Sequence, residues 1–401
     1  MSTVPTGRWL TSRRPAGKVP AQSRAGRPVP AAAVPRPGSR SIAFRRSTRH
    51  PVHRTTLSLQ APSALSAGDR VTDFVPISVR HPVLDRPTRA FVTRHTCPPS
   101  AHDPDVEEAR LDFARLHGKD DPEPLDEEAT STEWFALPGG PTGHVRVQVV
   151  KPTGSVGEIP VVLFLHGFGW VLGDATTYER LVRAFALGTD AAVVFVDYER
   201  APEARYPVAV EQCYAVAKWI SEQGGEIGLD GSRMAAVGDS AGGNLVAALT
   251  LLAKERGGVQ LLQQVLLCPV TDADFDTPSY QEFAKGYFLG RETMRWFWDQ
   301  YLPDVRQRSE ATASPLQASL EQLTGLPPAL VVTSEADVVR DEGEAYAAKL
   351  RAAGVAVVSM RYHGTIHGFM VLDPLRDTDA AHAALVQALD TVHVALHRHR
   401  S

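Results

Sequence analysis

From residue 145 onward, short apolar runs rich in β-branched residues alternate with stretches of helical apolar period. The runs are "VRVQVV", "IPVVLFLH", "AAVVFVDY", "RMAAVGDS", "QQVLLCPV", "PALVVTSE" and "VAVVSMRYHG". Between them lie "YERLVRAFAL", "VAVEQCYAVAKWISEQ", "AGGNLVAALTLLAKE" and "DEGEAYAAKLRAAG". Continuous apolar strands are buried on both faces, and parallel neighbours need a crossover that a helix supplies. The alternation therefore predicts an α/β fold: a mostly parallel central sheet with helices on both faces. One stretch interrupts it. More than fifty residues, about 273–326, separate "LLCPV" from "LPPALVVTSE" and include "YFLGRETMRWFWDQYLP". That is too long for a plain connection and too aromatic for a solvent loop, so a helical cap insertion is expected.

Upstream, residues 1–75 are rich in Arg, Pro, Ala and Ser without apolar period, which predicts a disordered tail. An Arg-rich organelle transit peptide and an over-extended start are the two other readings of that stretch. Residues 76–130 predict short helices, "DVEEARLDFARLHG" among them, joined by Pro-rich turns, with the main domain at 131–401. Charge is divided along the chain. Residues 1–68 hold twelve Lys or Arg and no Asp or Glu, so with −4 overall the remainder carries −16. An acidic body is a poor partner for nucleic acid or an anionic membrane. No run reaches the roughly 18 apolar residues of a membrane span, and no apolar segment near the start suggests a secretory signal. Cys97, Cys213 and Cys268 are too few for a disulfide framework or a zinc site, which suits a reducing cytoplasm.

Chemistry concentrates at the ends of the predicted strands. Gly238-Asp239-Ser240-Ala241-Gly242 lies where "RMAAV" gives way to a helix. A sharp strand-to-helix turn needs small neighbours and leaves Ser240 exposed at the carboxyl edge of the sheet. The Ala241 N–H then opens the helix, where partial positive charge favours an oxyanion. His166-Gly167-Phe168-Gly169 follows another strand and can offer further backbone N–H groups, with His166 bracing the loop. Two histidines, His363 and His367, sit in a glycine-containing loop downstream and are candidates for a general base. Their spacing could serve a metal, but no third ligand is evident. Acid candidates are Glu335, Asp337, Asp341 and Glu342. Asp337 lies just past its strand, whereas Asp341 and Glu342 are better placed to start a helix. His393, His397 and His399 are expected on a polar, solvated C-terminal helix.

Taken together, these pieces resemble the hormone-sensitive-lipase-like branch of α/β-hydrolase esterases. "HGFGW" is similar to the family's His-Gly-Gly-Gly motif, and "VDYERAPEARYP" to its Asp-Tyr-Arg-Leu-Ala-Pro-Glu segment. "GDSAGGN", "EADVVRDEG" and "GTIHGF" match its nucleophile, acid and histidine motifs. The resemblance runs from about residue 81 to the end. It implies Ser240 as nucleophile, Asp337 as acid and His367 as base, with oxyanion donors on the N–H groups of Phe168, Gly169 and Ala241. It also implies esters of short or medium acyl chain, a cap built from the N-terminal helices and the insertion, and no metal or organic cofactor. Phe168 stands where the family has glycine, so a positive φ there would be strained. Trp170, Asp239, Phe288 and Trp296 are pocket candidates, although aromatic packing of cap on core explains the rings equally well. Amidase chemistry on the same triad and a non-catalytic ligand-binding relative are the competing functions; "GTIHGF" speaks against the second. A small-molecule ester partner is expected, and a homodimer is compatible with the sequence.

Overall fold

The computed structural model describes residues 84–98, 105–117 and 127–398. The tail read at 1–75 lies outside them, as do His399 and parts of the 76–130 segment. Eight strands form one sheet: β1 (Thr130–Pro138), β2 (His144–Pro152), β3 (Ile159–Leu165), β4 (Ala192–Asp197), β5 (Leu229–Asp239), β6 (Gln263–Leu267), β7 (Ala329–Ala336) and β8 (Val357–Ile366). Their order is β1-β2-β4-β3-β5-β6-β7-β8. β2 pairs antiparallel with both β1 and β4, and every other pairing is parallel. The molecule is therefore α/β, with a mostly parallel sheet.

The apolar runs explain the middle of the sheet. Residues 161–165, 192–196, 234–239 and 263–267 are all buried, as strands covered on both faces must be. The covering helices are α3 (Ala175–Thr189), α4 (Val208–Gln223), α5 (Ala241–Arg256), α9 (Arg340–Ala352) and α10 (Asp379–His397). α3 packs with α10 and α4 with α5, and α9 lies along β7 and β8. β1 escaped the sequence reading because it is an edge strand whose side chains are mostly exposed, leaving no apolar alternation to find.

α10 corrects an expectation. It buries Ala381, Ala384, Ala388, Val392 and Leu396 against the body. His393 and His397 are half-buried rather than solvated. Their ring nitrogens lie 3.2 and 2.9 Å from the Thr189 carbonyl at the end of α3. The polar residues of this helix hid an apolar stripe of alanines.

Among the described residues, two α-helices precede the sheet, α1 (Arg86–Val92) and α2 (Val106–Leu116). Between β6 and β7 lie α6 (Pro278–Glu282), α7 (Arg291–Tyr301) and α8 (Leu320–Leu323). Phe91 of α1 packs on Phe288 of this insertion, with ring centroids 5.3 Å apart. No helix among the described residues is long and apolar enough to cross a membrane.

Topology places the site. The chain runs outward from β3 to β4 on one side and to β5 on the other, so the order reverses at β3. Crevices at such reversals open at the carboxyl ends of the strands. Leu165 of β3 pairs with Gly238 of β5, and Ala336 of β7 with Ile366 of β8. The residues that follow these four positions are neighbours in space.

Candidate active site

At the end of β5 the backbone turns into α5 through Ser240, whose φ of 54° and ψ of −118° lie where side-chain-bearing residues are rarely found. Three backbone bonds hold it there. Its N–H donates to the Leu267 carbonyl at 2.8 Å, and its carbonyl accepts from Asn244 (3.0 Å) and Val270 (3.1 Å). The flanking glycines make room. A Cβ on Gly242 would collide with the Leu165 carbonyl oxygen, and one on Gly238 with the carbonyl of Gly242. Ser240 Oγ lies 2.8 Å from His367 Nε2, and His367 Nδ1 lies 2.8 Å from Asp337 Oδ2. Asp337 Oδ1 accepts the Val339 N–H at 3.1 Å, which fixes the carboxylate from below. All three side chains are buried.

The other candidates are placed elsewhere. His363 is largely exposed and its Nδ1 sits 2.9 Å from Glu335 Oε1, so those two occupy each other. Asp341 and Glu342 lie in the first turn of α9. Asp341 accepts the Ser279 N–H at 2.8 Å. Glu342, whose burial holds its carboxyl well above the usual carboxylate range, accepts the Thr271 N–H at 2.7 Å. Both therefore tie the start of the insertion to α9.

Opposite Ser240, the loop after β3 makes a run of three left-handed residues: Phe168 (φ 64°), Gly169 (68°) and Trp170 (61°). Among the described residues, the N–H groups of Phe168, Gly169 and Ala241 have no protein acceptor. His166 is fully buried and stacked on Tyr198, centroids 4.1 Å apart, and burial lowers its pKa to about 3. It is a neutral brace. Gly167 donates to Tyr178 Oη at 2.8 Å, and Tyr178 donates to Asp239 Oδ2 at 2.9 Å. This chain ties the loop to the Ser240 turn. Burial raises the Asp239 carboxyl to about 7.

A cavity with room for about one water lies beside Ser240, lined by Asp239, Leu267, Cys268, His367, Met370 and Val371 among others. Asp239 is the one pocket candidate on it. Trp170 is fully buried and stacked on Tyr301, centroids 4.1 Å apart. Phe288 packs on Phe91, and Trp296 is half-buried against Phe297. Trp170 and Phe288 belong to the buried core, and Trp296 packs against it.

Sequence reasoning missed Tyr178 and Cys268. The Cys268 thiol lies with a carboxylate oxygen of Asp337 and a ring nitrogen of His367, all within 4.8 Å of one another. It hydrogen-bonds Ser334 Oγ at 3.0 Å, and burial pushes its pKa up. Residue 268 directly follows β6, the strand beside the Ser240 turn, and that position was the available signal.

A serine, a histidine and a carboxylate in line at the ends of parallel strands define a hydrolase of the α/β type. The sequence model of the alpha/beta hydrolase fold matches residues 162–371, and the chain belongs to that family. It is 40% identical over 228 residues to carboxylesterase NlhH of Mycobacterium tuberculosis, covering 56% of this chain and 71% of that one. It is 35% identical over 249 residues to an arylesterase of Saccharolobus solfataricus, covering 59% and 80%. Among solved structures, a thermostable esterase from Pseudomonas putida matches with a TM-score of 0.75 and 44% identity, over 79% of this chain and 99% of that one.

Proposed function

We propose that the chain is a carboxylic ester hydrolase in which Ser240, His367 and Asp337 work as a triad on esters of short to medium acyl chain. The observation that carries this reading is the unbroken line of two 2.8 Å contacts from Ser240 Oγ through His367 to Asp337. The named esterases among its relatives support it.

Each step has a group in place. His367 Nε2 takes the Ser240 proton as Oγ attacks the ester carbonyl. The carbonyl oxygen becomes an oxyanion, held by the N–H groups of Phe168, Gly169 and Ala241. Collapse expels the alcohol, which receives its proton from His367, and leaves an acyl group on Ser240. Water, deprotonated by the same ring, then releases the acid and restores the serine. Asp337 accepts the Nδ1–H throughout, fixing the tautomer and stabilising the imidazolium. The N-terminal helices and the 273–326 insertion act as a cap over the strand ends.

A series of p-nitrophenyl esters of increasing acyl length, run beside a matched anilide, tests the reading. The ester hydrolase predicts turnover of the shorter esters and little of the anilide. Faster cleavage of the anilide would replace it with an amidase.

A further inference from the structure

The left-handed run at 168–170 is held from outside the loop. Left-handed backbone crowds a Cβ against its own carbonyl, so glycine is the residue that adopts it freely. Two of the three positions here carry large rings, and each ring is seated in a helix that comes from elsewhere in the chain. Trp170 stacks on Tyr301 of α7. Phe168 packs on Phe113 of α2, with centroids only 4.0 Å apart. Phe113 is itself buried.

α2 grips the loop at a second point one turn away. Arg110 Nε donates to the Val171 carbonyl at 3.0 Å, and Nη2 to the Ala201 carbonyl at 3.1 Å. The Ala201 N–H in turn donates to the Trp170 carbonyl at 2.9 Å. Glu203 holds the guanidinium in place through two bonds of 2.8 and 2.9 Å. Positions 110 and 113 are three apart, so they share one face of the helix. That face touches the first residue of the left-handed run and the residue just after its last.

We propose that Phe113 and Arg110 are positioning residues for the oxyanion donors: α2 clamps Phe168 and Val171 so that the N–H groups of Phe168 and Gly169 stay aimed at the developing charge. The proposal rests on the oxyanion role assigned above. Neither residue touches the reacting atoms. Their effect is on the transition state, because the ester's ground-state carbonyl carries little of the charge those donors meet.

Steady-state kinetics on a p-nitrophenyl ester test this. Phe113→Ala should lower kcat by roughly 10- to 100-fold, short of or equal to losing one donor, with KM changed by less than about threefold. Leu111→Ala, on the exposed side of α2, should leave both constants alone. Residue 168 gives the sharper contrast and serves equally if Phe113→Ala fails to fold. Phe168→Ala and Phe168→Gly both remove the ring, but alanine keeps the Cβ that φ 64° disfavours. Alanine should therefore lose several-fold more kcat than glycine. Glycine equal to or worse than alanine, or an effect of Phe113→Ala on KM alone, would overturn the proposal. Ser240→Ala separates the two readings: its inactivity keeps the triad whatever happens at 168, and its activity would remove the triad first.

Discussion

The Ser240 turn and the 168–170 loop both hold side-chain-bearing residues at positive φ, and they do so by opposite means. At Ser240 the strain is accommodated locally. Gly238 and Gly242 open the space, and three backbone bonds to residues 244, 267 and 270 fix the turn. At 168–170 the local bond from Leu172 N–H to the Phe168 carbonyl is joined by contacts from outside the loop. Phe168 and Trp170 keep left-handed backbone because rings from α2 and α7 receive their side chains. The first device breaks when an atom is added, the second when one is removed. The difference teaches that the Ser240 turn is fixed from within the sheet and its following helix, whereas the 168–170 loop is packed on helices outside the sheet.

The largest expected effect lies with the nucleophile's own partners. Asp337→Asn keeps the shape but replaces an acceptor with a donor at His367 Nδ1, and should lower kcat by roughly 10⁴. Its melting temperature should barely move. Asp341→Asn, at a carboxylate that holds the Ser279 N–H and Arg340, should keep most activity. The reverse outcome in the two rate measurements would make Asp341 the triad acid.

Adding one methyl to the Ser240 turn comes next. Gly242→Ala drives a Cβ into the Leu165 carbonyl oxygen and against the His166 backbone, so β3 and α5 must separate. The loss of stability should be on the order of 4 kcal/mol, read by urea unfolding. A tolerated alanine would mean the turn is not the close-packed device contrasted with the loop.

Asp239 links the two segments through Tyr178, and its effect is the smallest. Its carboxyl is raised to about 7 by burial, above an unfolded value of roughly 3.9. A raised folded value means that this contribution to stability is full below the unfolded value and is lost as pH rises through about 7. Unfolding measured near about pH 5 and about pH 8 should show the wild type losing more stability across that interval than Asp239→Asn. Equal losses would show that Asp239 ionises at no cost in the fold.

The same contrast explains what the sequence made legible. Ser240, its flanking glycines and the buried strand before it lie within a dozen residues, so their geometry follows from local chemistry. Asp337 stands out because it lies just past an apolar run, whereas His367 is separated from His363 only by the resemblance of "GTIHGF" to the family's histidine motif. The positive φ of Phe168 was foreseeable as strain, but what relieves it was not: Phe113 lies 55 residues upstream in a helix whose own pattern says nothing about its neighbour. Trp170 reads equally as a pocket wall or as packing until α7 is placed on it. β1 and the histidines of α10 were misjudged for a related reason, since an edge strand and an alanine stripe carry weak apolar signals.

The central claim is that Ser240 forms the covalent intermediate. Treating the protein with a fluorophosphonate and mapping its peptides by mass spectrometry tests this directly. The account predicts one phosphonyl group, on the peptide carrying Ser240, with activity falling in proportion to its occupancy. Complete inactivation with the label on another residue, or full turnover by chains labelled at Ser240, would contradict it.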